Sequence, residues 1–464
     1  MRRLFPLWTA VSLAAYGGLV LVDRAYGTLR GAATPRTIFF YFLAFAAYAA
    51  AVLWLERGGR WSPAWAWGTA VLSRLLLLFT TPSLSDDVYR TIWDGHLAIN
   101  GISPYALAVN DAALDYLAIP ERGLVNNAWM ASPYMPAAQF LFTAVALIGR
   151  HPLLLQGVMV LLDLAAAAVI ANLLQAAKLP AHRLLLVLWN PLVIVEVAHG
   201  AHVDAWMVLL TLLAVQATLK RPSGGAQGLL APLFLVLATL TKLLPALLAP
   251  VLFWRWSWPQ RLLYPLATLL ILLPFGLHAG WGLDRSLNGR GLFGALLIYS
   301  SRWKFNSGLF YGLESMLGGG ESLAATTAAK ALLAGGMLAV LLAVFLLARR
   351  HDSPRAILRL AAIPFMATIL LTPTFHPWYL LILLAFVPFL PPAEGESRLW
   401  WLAALPWLWL SATAVFSYLA YLDPLLVVER PWVRLVQWLP VWLLLLAGLI
   451  AWIYSRRVHS PAGR

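Results

Sequence analysis

Apolar runs of 14 to 25 residues recur from one end of this sequence to the other, and they constrain the fold more than any other feature. A helix needs about 20 such residues to cross a hydrocarbon core about 30 Å thick. Of the 464 residues, 61% are hydrophobic and 11% are charged, whereas soluble domains carry about 25% charged residues. We therefore predict an all-α polytopic membrane protein whose whole chain forms a single transmembrane domain.

The positions of the apolar runs predict about fourteen transmembrane helices. Two polar stretches, residues 83–136 and 278–322, interrupt the series and are expected to form two large loops. The spans are expected near residues 4–22, 37–55, 64–81, 152–177, 183–198, 204–219, 228–241, 244–256, 262–277, 323–348, 355–371, 378–390, 399–418 and 434–454.

The apolar segment 136–149 decides the predicted topology, because counting it as a span would invert everything that follows. Its 14 residues are few for a span, so we expect a juxtamembrane helix. Seven basic pairs then fall on one side, which the positive-inside rule makes cytoplasmic. This predicts cytoplasmic termini and external large loops in a bacterial inner membrane. The pairs are Arg2/Arg3, Arg57/Arg60, Lys178/Arg183, Lys220/Arg221, Arg255/Arg261, Arg349/Arg350 and Arg456/Arg457.

The distribution of charge excludes several classes of function. A net charge of +14 would suit a nucleic-acid partner, but the basic residues lie as scattered pairs in short loops, which is typical of membrane anchoring. No predicted cytoplasmic connection exceeds about a dozen residues, and the sequence lacks a G-x-x-x-x-G-K-[ST] phosphate loop. We therefore expect neither a nucleic-acid partner nor a nucleotide cofactor. The absence of cysteine excludes disulfides and thiolate metal sites.

The densest polar cluster opens the first large loop. Asp86 and Asp87 follow the third predicted span, and Tyr89 and Arg90 come directly after them. Paired carboxylates at this place are candidates for catalytic acid or base work or for metal binding, with the tyrosine and arginine as candidate substrate ligands. The alternative is that one aspartate caps the start of a helix in a solvated loop.

A second cluster lies between the fifth and sixth predicted spans. It contains Glu196, His199, His202 and Asp204 around Gly200. The histidines and Asp204 are candidate substrate ligands, and Asp86, His202 and Asp204 form a candidate set for a divalent cation, Mg²⁺ or Mn²⁺. The alternative is a polar, partly re-entrant turn. Acidic residues beside a helix break in the membrane favour a functional site.

Several cations are candidate ligands for an anionic substrate. Lys242 lies between two short apolar segments, where a cation suits a phosphate, although snorkelling to the interface is the alternative. The second large loop adds Arg302 and Lys304 as candidate ligands, together with Arg285 and Arg290. His376, at another external turn, is a further candidate, although a lone histidine is usually structural. Inside the spans, structural pairing is expected for Arg74, Asp163 and Lys330.

The order of these clusters resembles the GT-C superfamily of membrane glycosyltransferases. The similarity is to bacterial polyprenol-phosphate-mannose-dependent mannosyltransferases and, more distantly, to GPI mannosyltransferases. It covers roughly residues 83–380 and departs from many relatives in having two spans before the span that leads into the aspartate pair. The matching motifs are S-D-D-V-Y-R-x-I-W-D-G, G-I-S-P-Y, S-P-Y-M-P, N-P-L-V-I-V-E, G-A-H-V-D, T-K-L-L-P and H-P-W-Y-L.

The resemblance implies a catalytic carboxylate at Asp86, with Asp87 beside it, and a second acidic site at Asp204 with His202. It also implies a sugar donor carried on polyprenyl phosphate. We therefore expect an inverting glycosyltransferase that moves a hexose, with mannose the expected sugar, to a glycan, lipid or protein hydroxyl at the external membrane face. Asp86 is expected to be the general base and Lys242 to stabilise the leaving phosphate.

Two other functions compete with this hypothesis. A secondary transporter or lipid flippase would also use broken helices and intramembrane charges, but the two halves of the sequence show no convincing repeat. A non-catalytic assembly subunit with the same fold is the third possibility.

Overall fold

A computed structural model describes residues 4–220, 226–283, 288–320, 322–392, 396–423 and 426–458. Within these ranges the chain is helical and forms no strand, and one isolated parallel bridge joins Phe305 and Thr374. The predicted all-α class is therefore confirmed. Arg285 and Arg221, which the sequence singled out, lie outside the described residues.

The N-terminal third combines long apolar helices with a loop region. Helix α1 packs against both α2 and α3, and α4 packs against α5. Short 3-10 helices cover Gly31–Ala33, Ala112–Leu117 and Pro120–Leu124. The helices are α1 (Leu4–Tyr26), α2 (Thr34–Glu56), α3 (Pro63–Leu77), α4 (Asp87–Ile99) and α5 (Pro136–Ala146).

The middle third is the most broken part of the fold. A π-helix covers Val195–His199, and 3-10 helices cover Ala181–Leu184, Leu244–Leu248 and Phe253–Arg255. The helices are α6 (Pro152–Ala176), α7 (Leu185–Leu188), α8 (Pro191–Ile194), α9 (Asp204–Lys220), α10 (Ala226–Thr239), α11 (Ala249–Leu252) and α12 (Trp258–Ala279).

The C-terminal third returns to long helices. Further 3-10 helices cover Pro377–Tyr379, Val387–Phe389, Arg398–Ala403 and Ala414–Tyr421. The helices are α13 (Gly294–Arg302), α14 (Leu309–Met316), α15 (Leu323–Ala348), α16 (Pro354–Leu371), α17 (Leu380–Leu384), α18 (Leu405–Thr413) and α19 (Pro431–Val458).

Eight helical segments in the described ranges are long and apolar enough to cross a membrane, and a ninth results if the pair Ala181–Leu188 and Pro191–His199, bent by 53°, is one span. The protein is an integral membrane protein, as predicted, but the structure does not support the count of fourteen spans. Proline interrupts several of the predicted ones, because it lacks the N–H that a continuous helix needs. Pro191 separates α7 from α8, and Pro245 and Pro250 divide the segment 244–256.

The buried core carries one strong ion pair. Arg74 of α3 donates to Asp163 of α6 at 2.7 Å, and its guanidinium also donates to the carbonyl of Leu188 at 3.1 Å. Both side chains are buried. Their predicted structural pairing is confirmed. Lys330, by contrast, donates to the carbonyls of Ser300 and Ser301 at the end of α13, where a cation stabilises the helix terminus.

Candidate active site

The aspartate pair lies at the start of α4. Asp87 is the first residue of the helix and Asp86 occupies the N-cap position. A negative charge is stabilised there because the helix dipole presents partial positive charge. The Asp86 side chain accepts no capping hydrogen bond, so N-capping does not explain why an aspartate occupies this position.

Asp86 is held by Arg30, a residue of the connection between α1 and α2. The two guanidinium nitrogens lie 3.0 Å and 3.3 Å from the two carboxylate oxygens, which is a bidentate arrangement. Burial raises the pKa of the Asp86 carboxyl above its usual value, while the charge of Arg30 opposes that rise. Arg30 is not among the residues predicted from the sequence. The one feature of the sequence that could have indicated Arg30 is that the connection 23–36 lies on the same predicted side of the membrane as the first large loop.

Asp87 has much weaker partners. One carboxylate oxygen accepts a hydrogen bond from Asn126 at 3.3 Å, and the other lies 3.8 Å from Nδ1 of His202. Asp86 and Asp87 are similarly accessible, with 27% and 26% of the side chain exposed. Asp87 therefore has more unoccupied accepting capacity than Asp86.

His202 lies between two carboxylates. Its Nε2 is 3.2 Å from Oε2 of Glu196, and the other oxygen of Glu196 accepts from the hydroxyl of Tyr418 at 2.7 Å. His202, Glu196 and Tyr418 are all buried. The imidazole thus lies between the accessible Asp87 carboxylate and an acidic group inside the protein, and its buried Nε2 makes no hydrogen bond. Glu196 appeared in the sequence cluster, but its contact with His202 could not be deduced from spacing.

Four stacked rings form one wall beside Asp87. His202 stacks on Trp378 with 4.2 Å between centroids, Trp378 stacks on His376 at 4.6 Å, and His376 stacks on Phe305 at 4.9 Å. Trp378 and His376 remain partly exposed. The stack brings together three segments: the turn between the π-helix Val195–His199 and α9, the turn after α16, and the second large loop. His376 is therefore close to the predicted site even though it lies far away in sequence.

His199 positions the connection that leads to the aspartates. The ring is fully buried, with Nδ1 at 2.8 Å from the hydroxyl of Thr80 and Nε2 accepting from the backbone N–H groups of Ser83 and Leu84 at 3.1 Å and 3.3 Å. It lies in the π-helical turn Val195–His199, a feature that often accompanies functional sites. Its hydrogen-bonding capacity is used within the protein.

Lys242 forms an ion pair with Asp204, the first residue of α9. Asp204 is buried, whereas the lysine side chain is partly exposed. An ammonium group has three donors, so donors remain for a further acceptor. Asp204 follows His202 by two residues, so the ion pair with Lys242 and the contact of His202 with Asp87 lie on the same short turn.

Comparison with protein families gives one match. Residues 9–258, more than half of the chain, match the model of the alpha-(1->6)-mannopyranosyltransferase N-terminal domain. The chain belongs to this family. It is a glycosyltransferase that acts on mannose, which confirms the resemblance stated above. No protein in the curated collection matches the chain. The matched range contains both aspartates, His202, Asp204 and Lys242, whereas His376 and Trp378 follow it.

The predicted metal ligands of this transferase do not come together. Asp86 is paired with Arg30, Asp204 is paired with Lys242, and His202 lies between Glu196 and Asp87. Among the residues that the structure describes, no group of three or more His, Asp or Glu side chains could hold a metal ion. These three residues therefore do not fit a shared cation site.

Arg90 and Tyr89 organise the first large loop of the transferase. Arg90 is buried, and its guanidinium donates to four backbone carbonyls in the segment 126–131. The hydroxyl of Tyr89 donates to the carbonyl of Pro82 at 3.1 Å. Arg90 also fixes the position of Asn126, because its guanidinium donates to the carbonyl of Asn126 at 2.6 Å. The side chain of Asn126 in turn donates to Asp87. Both terminal nitrogens of Arg90 and the hydroxyl of Tyr89 thus donate within the protein, which favours a structural role over the predicted substrate contact.

The cations of the second large loop divide into two kinds. Lys304 is paired with the buried Glu314 at 2.6 Å and bonds the hydroxyl of Thr326 at 2.8 Å, so it links this loop to α15. Arg290 pairs with Asp111 of the first loop at 2.8 Å. Arg302 ends α13 and is exposed, with no acidic partner among the described residues. Among the described cations of this loop that were predicted as ligands, Arg302 alone is not paired with a carboxylate.

Proposed function

We propose that this transferase moves mannose from polyprenyl phosphate to an acceptor hydroxyl at the external face of a bacterial inner membrane. The observation that carries the proposal is that Asp87 lies 3.8 Å from His202 while Lys242 pairs with Asp204, two residues further along the same turn. This turn brings a base and a cation to one region beside the aromatic wall. A glycosyl transfer from a phosphate needs both, because a proton is lost at the acceptor while negative charge develops on the leaving group.

We assign the general base to Asp87. The sequence pointed to Asp86, but Arg30 contacts both oxygens of that carboxylate, so an acceptor hydroxyl can reach an oxygen of Asp87 more readily than one of Asp86. In the step proposed, the acceptor oxygen attacks the anomeric carbon as its proton moves to Asp87. The bond from the anomeric carbon to the phosphate oxygen breaks at the same time. The leaving phosphate needs no proton, so one base suffices where most glycosidases use two carboxylates.

A single displacement inverts the anomeric carbon. If the product is an alpha-(1->6)-mannoside, as the family description states of its members, the mannose must be β-linked in the donor. The buried Asp204 would hold Lys242 in place, so that its remaining donors face the phosphate. Arg302 would be a second cation for that charge, because it is exposed and precedes Phe305 of the ring stack by three residues.

A lipid-linked donor agrees with the chain's composition. The sequence lacks a nucleotide phosphate loop, and its long polar stretches, 83–136 and 278–322, meet in the structure through Arg290 and Asp111. This ion pair, with the backbone hydrogen bonds of Gly291 to Tyr105 and of Ala131 to Gly289, joins the two stretches into one loop assembly. The acceptor would be a glycan, lipid or protein hydroxyl that reaches this assembly from outside.

Purified full-length protein in lipid nanodiscs tests the donor and the stereochemistry. We expect mannose transfer to an α-mannoside acceptor from β-linked polyprenyl phosphate mannose and none from GDP-mannose. The product should be cleaved by an α-mannosidase. Transfer from GDP-mannose without a lipid donor would overturn the lipid-donor assignment, and a β-linked product would overturn inversion. Asp87→Asn in the same discs is the control for background transfer.

A further inference from the structure

An open cavity of about 380 Å³ lies at the opposite end of α12 from the loop assembly. Phe253, Trp256 and Tyr264 form one side, and Leu341 and Phe345 of α15 form the other. Helix α12 runs from this cavity to Ala279, beyond which Gly291 donates to the carbonyl of Tyr105 in the first large loop at 2.8 Å. Fourteen residues of helix separate Tyr264 from His278, which is about 21 Å.

The cavity opens toward the hydrocarbon layer. The flanking helices α12 and α15 are among the least buried of the membrane-spanning candidates, with 6% and 17% of their most apolar windows buried. Leu262 and Leu266 on α12 and Leu338 and Leu342 on α15 are exposed. An apolar recess between two lipid-facing helices is filled by a lipid chain rather than by water, because unsatisfied apolar surface favours an apolar occupant.

One cation faces this apolar recess. Nε of Arg261 donates to the carbonyl of Phe253 at 3.0 Å, and the guanidinium lies over the rings of Phe253 and Trp258 at 4.4 Å and 5.0 Å. Arg261 has no carboxylate partner in the part of the chain that the structure describes. These contacts orient the guanidinium while leaving its terminal nitrogens available, and such a fork matches a phosphate bidentately.

A second cation lies close to the same place. Arg349 is positioned over the ring of Trp254 at 5.4 Å, and Trp254 packs on Phe345 with 4.8 Å between centroids. Arg255 lies beside them, bonded to the carbonyl of Ala348 at 3.2 Å and paired with Asp352 at 3.5 Å. Three arginines against one carboxylate leave this end of the cavity with a net positive charge, while its walls are apolar. A zwitterionic headgroup would bring its own cation toward Arg261 and Arg349, whereas a net anionic headgroup would not.

We infer that this cavity is a binding site for an anionic phospholipid of the surrounding bilayer. Arg261 holds the phosphate, and one acyl chain lies between Tyr264 on α12 and Leu341 and Phe345 on α15. The inference does not depend on the proposed function, because the cavity is separated from Asp87 and shares no residue with the proposed active site.

Native mass spectrometry of the full-length protein, delipidated in detergent and titrated with phosphatidylglycerol or phosphatidylcholine, tests the site. We expect wild-type protein to retain phosphatidylglycerol preferentially, and Arg261→Gln to weaken that binding about tenfold, because it removes a charge-assisted bidentate contact. Arg350→Gln is the matched control. It removes the same charge from an exposed turn directly after α15 and should leave binding within about twofold of wild type.

A second variant separates loss of the site from loss of folding. Leu341→Trp fills the cavity while Arg261 is retained, and it should also lose preferential binding. An unchanged melting temperature and gel-filtration profile qualify each variant for comparison. Equal binding of the two lipids, or equal losses in Arg261→Gln and Arg350→Gln, would overturn the site. Displacement of phosphatidylglycerol by equimolar polyprenyl phosphate would overturn the phospholipid assignment and give the cavity to the donor.

Discussion

Asp86 and Asp87 are adjacent in sequence and equally accessible, yet they have different chemical surroundings. A guanidinium occupies both oxygens of Asp86. Asp87 meets an amide and a buried imidazole at longer distances. At the scale of single residues, the proposed chemistry depends on this difference, because a general base must have an oxygen that the substrate hydroxyl can reach.

Asp87→Asn should lower mannose transfer about 10² to 10⁴-fold, because the amide keeps the shape of the carboxylate but cannot accept the proton. Asp86→Asn should lower it less than about tenfold. It breaks a partly exposed ion pair, and such pairs contribute about 1 kcal/mol or less. Initial rates with purified variants at saturating donor measure both effects. The opposite ranking would return the base to Asp86, and two near wild-type rates would remove this pair from the mechanism.

Lys242→Ala should both destabilise the protein and abolish most of the activity. Removal of one partner leaves Asp204 buried and unpaired, which costs about 3–5 kcal/mol. The double variant Lys242→Ala/Asp204→Asn should recover the stability, because no charge is stranded. It should still transfer mannose about 10²-fold more slowly, since the leaving phosphate lacks its cation. Thermal unfolding and kinetic assays on the single and double variants measure the two effects separately. Recovery of activity together with stability would make Lys242 a purely structural partner.

At the scale of elements, α4 carries a buried acid that titrates in an unusual range. Burial raises the pKa of Asp94 to about 6, although Arg90, Gln139 and Ser132 stabilise its charged form. Gln139 donates to it at 3.0 Å. In the unfolded chain the same carboxyl titrates near 4. Between these values the folded state binds more protons than the unfolded state, so this group makes stability fall as the pH rises.

Asp94→Asn should therefore stabilise the protein at pH 7, by up to about 3 kcal/mol for a shift of about two pKa units. The asparagine oxygen can accept the hydrogen bonds of Gln139 and Ser132. The difference from wild type should be small near pH 4, grow as the pH rises to about 6 and stay constant above it. Melting temperatures in detergent across this range measure the difference. A constant difference at every pH would show that the Asp94 carboxyl does not titrate in this way.

The long helices were predictable from hydropathy because a continuous apolar run has one stable conformation in lipid. The expected spans 152–177 and 323–348 correspond to α6 and α15 within a residue or two. The broken segments were not predictable from hydropathy. The run 378–390 has enough apolar residues for a helix, but Pro377 and Pro388 leave it as the five-residue α17 between two 3-10 turns. Hydropathy counts apolar residues and does not detect such breaks, so the number of spans was overestimated.

At the scale of the whole molecule, the candidate site depends on contacts between distant segments. Asp86 pairs with Arg30, 56 positions away, and His202 stacks on Trp378. Motif order placed Asp87, His202, Lys242 and His376 on the predicted external side. The structure links the first three through the turn 202–204 and links His376 to His202 through the stack on Trp378. The sequence could not show that Asp204 is the partner of Lys242, or that backbone carbonyls accept the hydrogen bonds of Arg90. Both contacts join segments that are distant in sequence and depend on the folded structure.

The orientation of the molecule remains a prediction of the basic pairs, and cysteine labelling tests it on this cysteine-free chain. Ala113 in the first large loop and His351 after α15 are both exposed. Because α15 has 26 residues and is about 39 Å long, its two ends lie on opposite sides of the membrane.

A membrane-impermeant maleimide should therefore label Ala113→Cys but not His351→Cys in intact cells with a permeabilised outer membrane. Detergent lysis should make both sites reactive, which controls for local access. The positive-inside rule gives this direction because Arg349 and Arg350 adjoin His351. Labelling of His351→Cys alone before lysis would reverse the orientation. It would place the proposed active site in the cytoplasm, where nothing in the chain's loops would keep it from a soluble nucleotide-linked donor.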